Sequence, residues 1–184
     1  VAQIAAGVDL GGGGSGKEGG HCGDVSTMVL IPEVVSVAGV TPVLAAGGIV
    51  TGQQMAAAMA MGAAGAWCGS VWLTTVEAEP SPVIKEKLLS ATSSDTVRSR
   101  SRTGKPSRQL RSPWTDAWEQ GGQVPLPMPL QSLLVEPARR RSDKRAQSGH
   151  DGARDLATYG AGEGVGLRKQ EQTGAAGRRG CKAE

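Results

Sequence analysis

The chain has 184 residues, and its 28 glycines and 10 prolines make up about a fifth of it, against roughly 12% in average globular sequences. At this length one domain, or one and a half, is expected, and a complete eight-stranded α/β barrel of about 250 residues does not fit. The net charge of +3 hides an asymmetry: residues 1–92 hold three Lys/Arg against seven Asp/Glu, while residues 93–184 hold seventeen against ten, so the halves are different kinds of sequence.

In chain order, residues 8–10 start a strand that runs into Gly11, Gly12, Gly13 and Gly14. Glycine costs backbone entropy and offers no side chain to pack, so this strand is expected to be damaged or to end early. Pro32 and Glu33 suit the first turn of a helix that reaches Gly39, with Val34, Val35 and Val37 on its apolar faces. Residues 42–46 read as a short buried strand stopped by Gly47 and Gly48. Thr51 and Gln54 have capping-box spacing, and the Ala/Met run to Met61 is a helix closed by Gly62. Residues 64–68 form another short strand ending at Gly69 and Ser70, and Ser81-Pro82 opens a helix to about Ala91. Strand and helix alternate three times, which is the pattern of a parallel sheet with right-handed crossovers.

The second half carries weaker signals. Residues 93–111 are polar and basic, and Trp114 to Trp118 with Leu126 to Leu130 form a proline-broken apolar patch. From Ala138 onward the only large apolar side chains are Leu156, Tyr159, Val165 and Leu167, too few to offset the cost of ordering the backbone, so a mostly disordered tail is expected.

The two glycine-bearing strand ends share one design. At Gly47-Gly48 and at Gly69-Ser70 the backbone can approach a ligand closely, and amides and the Ser70 hydroxyl can donate to an anion; the bland alternative is a pair of ordinary tight turns. His21 lies in a glycine-rich loop after the glycine strand, at the same end of the sheet. It reads either as a base working near neutral pH or as an exposed, inert side chain. Cys22 and Cys68 have no evident activating partner and read as small packing residues. With Cys181 they form neither a disulfide framework nor a metal-ligand spacing, so no metal is expected and a reducing, cytoplasmic setting is. No leader peptide opens the sequence, and the most apolar stretch, 28–50, is broken by Pro32, Glu33 and Pro42, so no membrane association is expected. The basic run from Arg98 to Arg111 could contact nucleic acid, but no aromatic side chains interleave to stack bases, which makes this the weakest of the readings.

Three segments in order, GGHCGDVSTMVLIPEVV (19–35), PVLAAGGIVTGQQMAAAMAMGAAGAWCGS (42–70) and KEKLLSATSSDTVRSRSRTGKPSRQLR (85–111), together resemble the C-terminal part of nitronate monooxygenases (2-nitropropane dioxygenases), flavoenzymes built on an α/β barrel. The resemblance runs from about Gly7 to Tyr159 and weakens after Glu136. It implies that the three βα units are strands six to eight of a TIM-type (β/α)8 barrel. It further implies FMN as cofactor, held by Gly20, Gly47, Gly48, Trp67, Cys68, Gly69 and Ser70. His21 matches the histidine that deprotonates or orients the nitro substrate. An alkyl nitronate or nitroalkane would be the substrate and molecular oxygen the electron acceptor. Where the family reads something like VVAQG, this chain has Gly11 to Ser15, which removes side chains and a glutamine that faces the flavin. The family's first five βα units have no counterpart in the sequence, and three strands cannot close a barrel.

The expectation is therefore an incomplete (β/α)8 barrel over residues 1–136 followed by a disordered, basic Gly/Arg-rich tail over 137–184, from a truncated or degenerate nitronate monooxygenase. A non-catalytic remnant that keeps flavin or phosphate affinity is the alternative.

Overall fold

A computed structural model describes residues 11–13, 20–150 and 152–180. Residues 8–10 of the first expected strand, and Cys181, lie outside them. Three short strands form a parallel sheet in the order β1-β3-β4: β1 Gly11–Gly13, β3 Val43–Ala46 and β4 Gly65–Trp67. Gly11 pairs with Val43 and Gly13 with Ala45; Leu44 pairs with Gly65 and Ala46 with Trp67. Gly11 to Gly13, where the strand was expected to be damaged or to end early, thus pair as a strand. A ladder is made by backbone N–H and C=O groups, which glycine retains, and β3 supplies the partner strand.

Helix α1 (Thr27–Ala38) connects toward β3, and α2 (Gly52–Ala60) connects β3 to β4. Helix α1 starts five residues before Pro32, the residue expected to open it, and Pro32 lies inside it. Ser26 takes the extended N-cap conformation and its carbonyl accepts from Leu30 at 2.9 Å, so nucleation happens upstream. The missing Pro32 N–H leaves the Met28 carbonyl without its helical donor, on a turn where Met28 is two-thirds exposed to water. Helix α2 begins as expected: the Gln54 amide donates to Thr51 Oγ1 at 3.2 Å, and Gln54 Oε1 accepts from the Thr51 amide at 3.1 Å. Ile31, Ala45, Ile49, Ala58 and Ala63 fill the space between this sheet and its helices.

A second, antiparallel sheet of order β2-β6-β5 joins β2 (Gly20–His21), β5 (Thr96–Ser99) and β6 (Ser107–Leu110). Helix α3 (Pro82–Ser90) precedes β5, and α4 (Pro113–Gln120) follows β6. Hydrophobic patterning is weak in this hairpin because most of its buried positions are polar: Ser99, Ser101, Ser107 and Gln109 are buried alongside the apolar Leu110. They bond one another and the chain, as when Gln131 Nε2 donates to the Ser101 carbonyl at 2.7 Å.

The C-terminal region departs most from expectation. Helix α5 (Leu130–Gln147), the short α6 (Ala153–Leu156), a 3-10 turn (Glu163–Leu167) and α7 (Gly174–Gly180) replace the disordered tail. The largest core cluster combines Ile84, Leu88, Ala91 and Leu110 with Ala146, Ala153, Ala157, Ala161 and Val165 from this region. A count of large apolar side chains overlooks alanines that are buried at close helix and loop approaches, where each still removes its surface from water. Among the described residues no helix is long and apolar enough to cross a membrane.

Candidate active site

The loops after β3 and β4 meet at the C-terminal ends of those parallel strands. Gly47 and Gly48 take φ of +113° and +76°, values that L side chains rarely adopt, and they turn the chain sharply from β3 toward α2. The turn is braced from two sides: Thr27 Oγ1 donates to the Gly47 carbonyl at 3.0 Å, and Gln54 Oε1 accepts from the Val50 amide at 2.8 Å. After β4, the chain passes through Gly69 into a single 3-10 turn, Ser70–Trp72.

Residues 46–50 and 67–70, with Gly162 and Gly164, enclose a cavity of about 190 Å³. Gly47, Gly48, Trp67, Cys68, Gly69 and Ser70, singled out from sequence, are thus brought together at one place. Two further walls were not anticipated. The Gly162 amide donates to Ser70 Oγ at 2.9 Å, and a Cβ at Gly164 would stand 3.0 Å from the Gly48 carbonyl oxygen and 2.6 Å from Val50 Cγ1. The segment 160–166, expected to lie in the disordered tail, is the outer wall of the cavity. The readable signal was its glycine at every second position from 160 to 166, which allows backbone to lie directly on backbone.

Among the described residues no carboxylate lines the cavity; Glu163, between the two wall glycines, is ion-paired at 3.2 Å with Arg108. Among the described residues the amides of Gly48 and Gly69 make no hydrogen bond, so each rim keeps a backbone donor. Trp67, at the end of β4, is 62% exposed and presents a flat apolar surface beside the rims. Undonated amides, absent acidic side chains and glycine-permitted close approach suit a phosphate, and the indole suits a planar ring. The volume lies below the about 300–1,000 Å³ of pockets that enclose a whole drug-sized ligand, so it fits one end of such a ligand.

Gly20 and His21 are placed differently. They form β2, paired with Arg108 and Ser107 of β6, and neither lines the cavity. Gly20 is nevertheless close to the cavity wall: its amide nitrogen is 3.5 Å from where a Gly160 Cβ would be. The His21 ring is exposed, with Nε2 2.8 Å from Thr103 Oγ1. Cys22 Sγ lies 3.8 Å from the Pro106 carbonyl and beside the Arg98 guanidinium. Several members of the basic run make contacts within the chain: Arg98 pairs with Asp24, Arg111 with Asp116, and Arg100 Nε donates to the Gly104 carbonyl.

A parallel βα sheet with a glycine-walled cavity at its C-terminal strand ends is an α/β architecture, and such folds carry their ligand sites at that end. The pattern of one such family, nitronate monooxygenase, matches residues 2–175, into the last helix. The chain belongs to the nitronate monooxygenase family. It is 59% identical over 165 residues to a Mycobacterium tuberculosis protein named for a monooxygenase, Rv1533, covering 89% of this chain and 44% of that one. To a Bacillus subtilis protein named a probable nitronate monooxygenase it is 35% identical over 127 residues, 69% of this chain and 36% of that one. The solved structure of a nitroalkane oxidase from Streptomyces ansochromogenes superimposes with a TM-score of 0.83 at 28% identity, covering 100% of this chain and 53% of that one. The chain therefore spans about half the length of these relatives or less.

Proposed function

We propose that this chain is the FMN-phosphate-binding part of a nitronate monooxygenase, an enzyme that oxidises alkyl nitronates with molecular oxygen. The observation that carries this reading is the convergence of the two glycine rims and the 160–166 wall on one cavity without acidic lining. In it, backbone donors at Gly48 and Gly69 and the Ser70 hydroxyl hold the phosphate. Cys68 packs at the rim, and Trp67 and Gly20 flank the ring. The flavin, when bound, supplies the electron-accepting ring that a side chain cannot. His21 serves the proton: with Thr103 Oγ1 donating to the Lys105 carbonyl at 3.2 Å, the hydroxyl is free to accept from Nε2–H, and Nδ1 takes the proton from the carbon that bears the nitro group.

The test is direct. Purified protein, or protein titrated with FMN, should show the visible absorbance of oxidised flavin and quenching of flavin fluorescence. Colourless protein that leaves added FMN unquenched refutes the reading. A second reading, flavin bound without turnover, is favoured by the exposure of His21 and its place outside the cavity; flavin uptake with no oxygen consumption on any nitronate selects it.

A further inference from the structure

The cavity wall and the histidine strand are held along the same edge of β6, and Arg108 bonds to both. Arg108 pairs with Gly20, and the next residue, Gln109, bridges Gly160, so β2 and the start of the wall lie end to end along one edge of β6. The wall is fastened there by backbone: the Leu110 amide donates to the Tyr159 carbonyl at 3.0 Å and the Ala161 amide to the Arg108 carbonyl at 3.3 Å. The Arg108 side chain then crosses to the wall. Its Nη1 lies 3.2 Å from Glu163 Oε1 and donates to Thr96 Oγ1 of β5 at 3.1 Å. The guanidinium is 12% exposed and the carboxylate 30%, so water screens this pair far less than a surface pair. Glu163 stands between Gly162, bonded to Ser70, and Gly164, seated on Gly48.

We propose that Arg108 is a positioning residue of this site: through Glu163 it latches the 160–166 wall onto both glycine rims, and through its own backbone it sets the His21 strand against the same wall. The proposal deepens the FMN reading and rests on it for its ligand. A wall that is closed only about a tenth of the time lowers apparent affinity about tenfold, because the competent fraction multiplies the association constant. The loss falls on the phosphate, since the wall touches Ser70 and Gly48 rather than the exposed face of Trp67.

The experiment compares the full chain with Glu163→Gln, Arg108→Lys and the exchanged pair Arg108→Glu/Glu163→Arg. FMN and riboflavin affinities are measured by fluorescence quenching, and amide hydrogen exchange is followed over residues 159–166. The latch predicts faster exchange of the Ala161 and Gly162 amides in Glu163→Gln. It also predicts FMN binding weakened about tenfold with riboflavin changed much less, and recovery of both in the exchanged pair. Equal loss of FMN and riboflavin would mark a merely structural role and overturn the proposal, as would unchanged exchange in Glu163→Gln. If the unsubstituted chain takes up no FMN, the cofactor reading fails and the exchange data decide the latch by themselves. Should the exchanged pair fail to fold, Arg108→Lys replaces it: it keeps the charge, and exchange closer to the unsubstituted chain than that of Glu163→Gln supports the latch.

Discussion

Replacing Gly164 by Ala separates a packed wall from a loose tail by the sign of its effect. Gly164 is buried, and an added Cβ would meet Val50 Cγ1 at 2.6 Å, Val50 Cγ2 at 3.2 Å and the Gly48 carbonyl oxygen at 3.0 Å. Val50 is 3% exposed, and its β-branched side chain is restricted about χ1, so it cannot swing away cheaply. Overpacking of this kind costs about 1–3 kcal/mol, while the stiffer unfolded chain returns about 0.4–1 kcal/mol. The net expectation is a destabilisation of about 1–2 kcal/mol, or roughly 2–8 °C for a chain of this size. Urea unfolding followed by tryptophan fluorescence reads the change as a lower midpoint at unaltered slope. FMN affinity should fall with it, because the displaced atoms are the rim. An unchanged or higher midpoint, the behaviour of a glycine in a solvated tail, refutes the packing of residues 160–166 on the rims.

Gly104→Ala should be more damaging, because φ is +83° and the new Cβ would stand 2.1 Å from the Leu126 carbonyl oxygen, with no flexible side chain to yield; a loss of about 2–5 kcal/mol is expected in the same assay. Glu136 accepts from Arg139 at 2.8 and 3.0 Å and from Arg140 at 3.0 Å, and these bonds hold its carboxyl at about 2, below the ordinary 4.5. Because the folded-state value is depressed, this stabilisation is complete above pH 4.5 and is lost as pH falls toward 2; Glu136→Gln should lower the melting temperature at pH 7 and flatten its decline across that window. In a form of the protein that turns over substrate, His21→Asn should slow oxidation of a neutral nitroalkane more than that of the preformed nitronate, measured as oxygen uptake, and equal losses would remove its part as a base.

The elements legible in the sequence were those governed by neighbours along the chain. The Thr51/Gln54 capping box, the helix opened by Pro82, and the glycine stops after β3 and β4 are local chemistry, and each lies within a residue or two of its expected place. Where a partner distant in sequence decides the outcome, local reading failed. Gly11–Gly13 is a strand because Val43–Ala46 pairs with it, and 96–110 is a hairpin whose buried Ser101 accepts from Gln109 Nε2 at its hydroxyl and from Gln131 Nε2 of α5 at its carbonyl.

The site divides along the same line. Gly47, Gly48, Gly69 and Ser70 could be named from sequence because positive φ and backbone donors are properties of single residues and short turns. Gly162, Gly164 and the Arg108–Glu163 pair could not, since they reach the cavity from more than ninety residues beyond Ser70 or across a β-sheet edge. Local sequence alone determined that this chain alternates short strands and helices with glycine rims at their junctions. Only tertiary packing decided that a C-terminal region with a few buried alanines and an alternating glycine segment, weak in hydrophobic content, would fold back to close those rims: burial depends on how closely two surfaces approach, and small residues permit the closest approach of all.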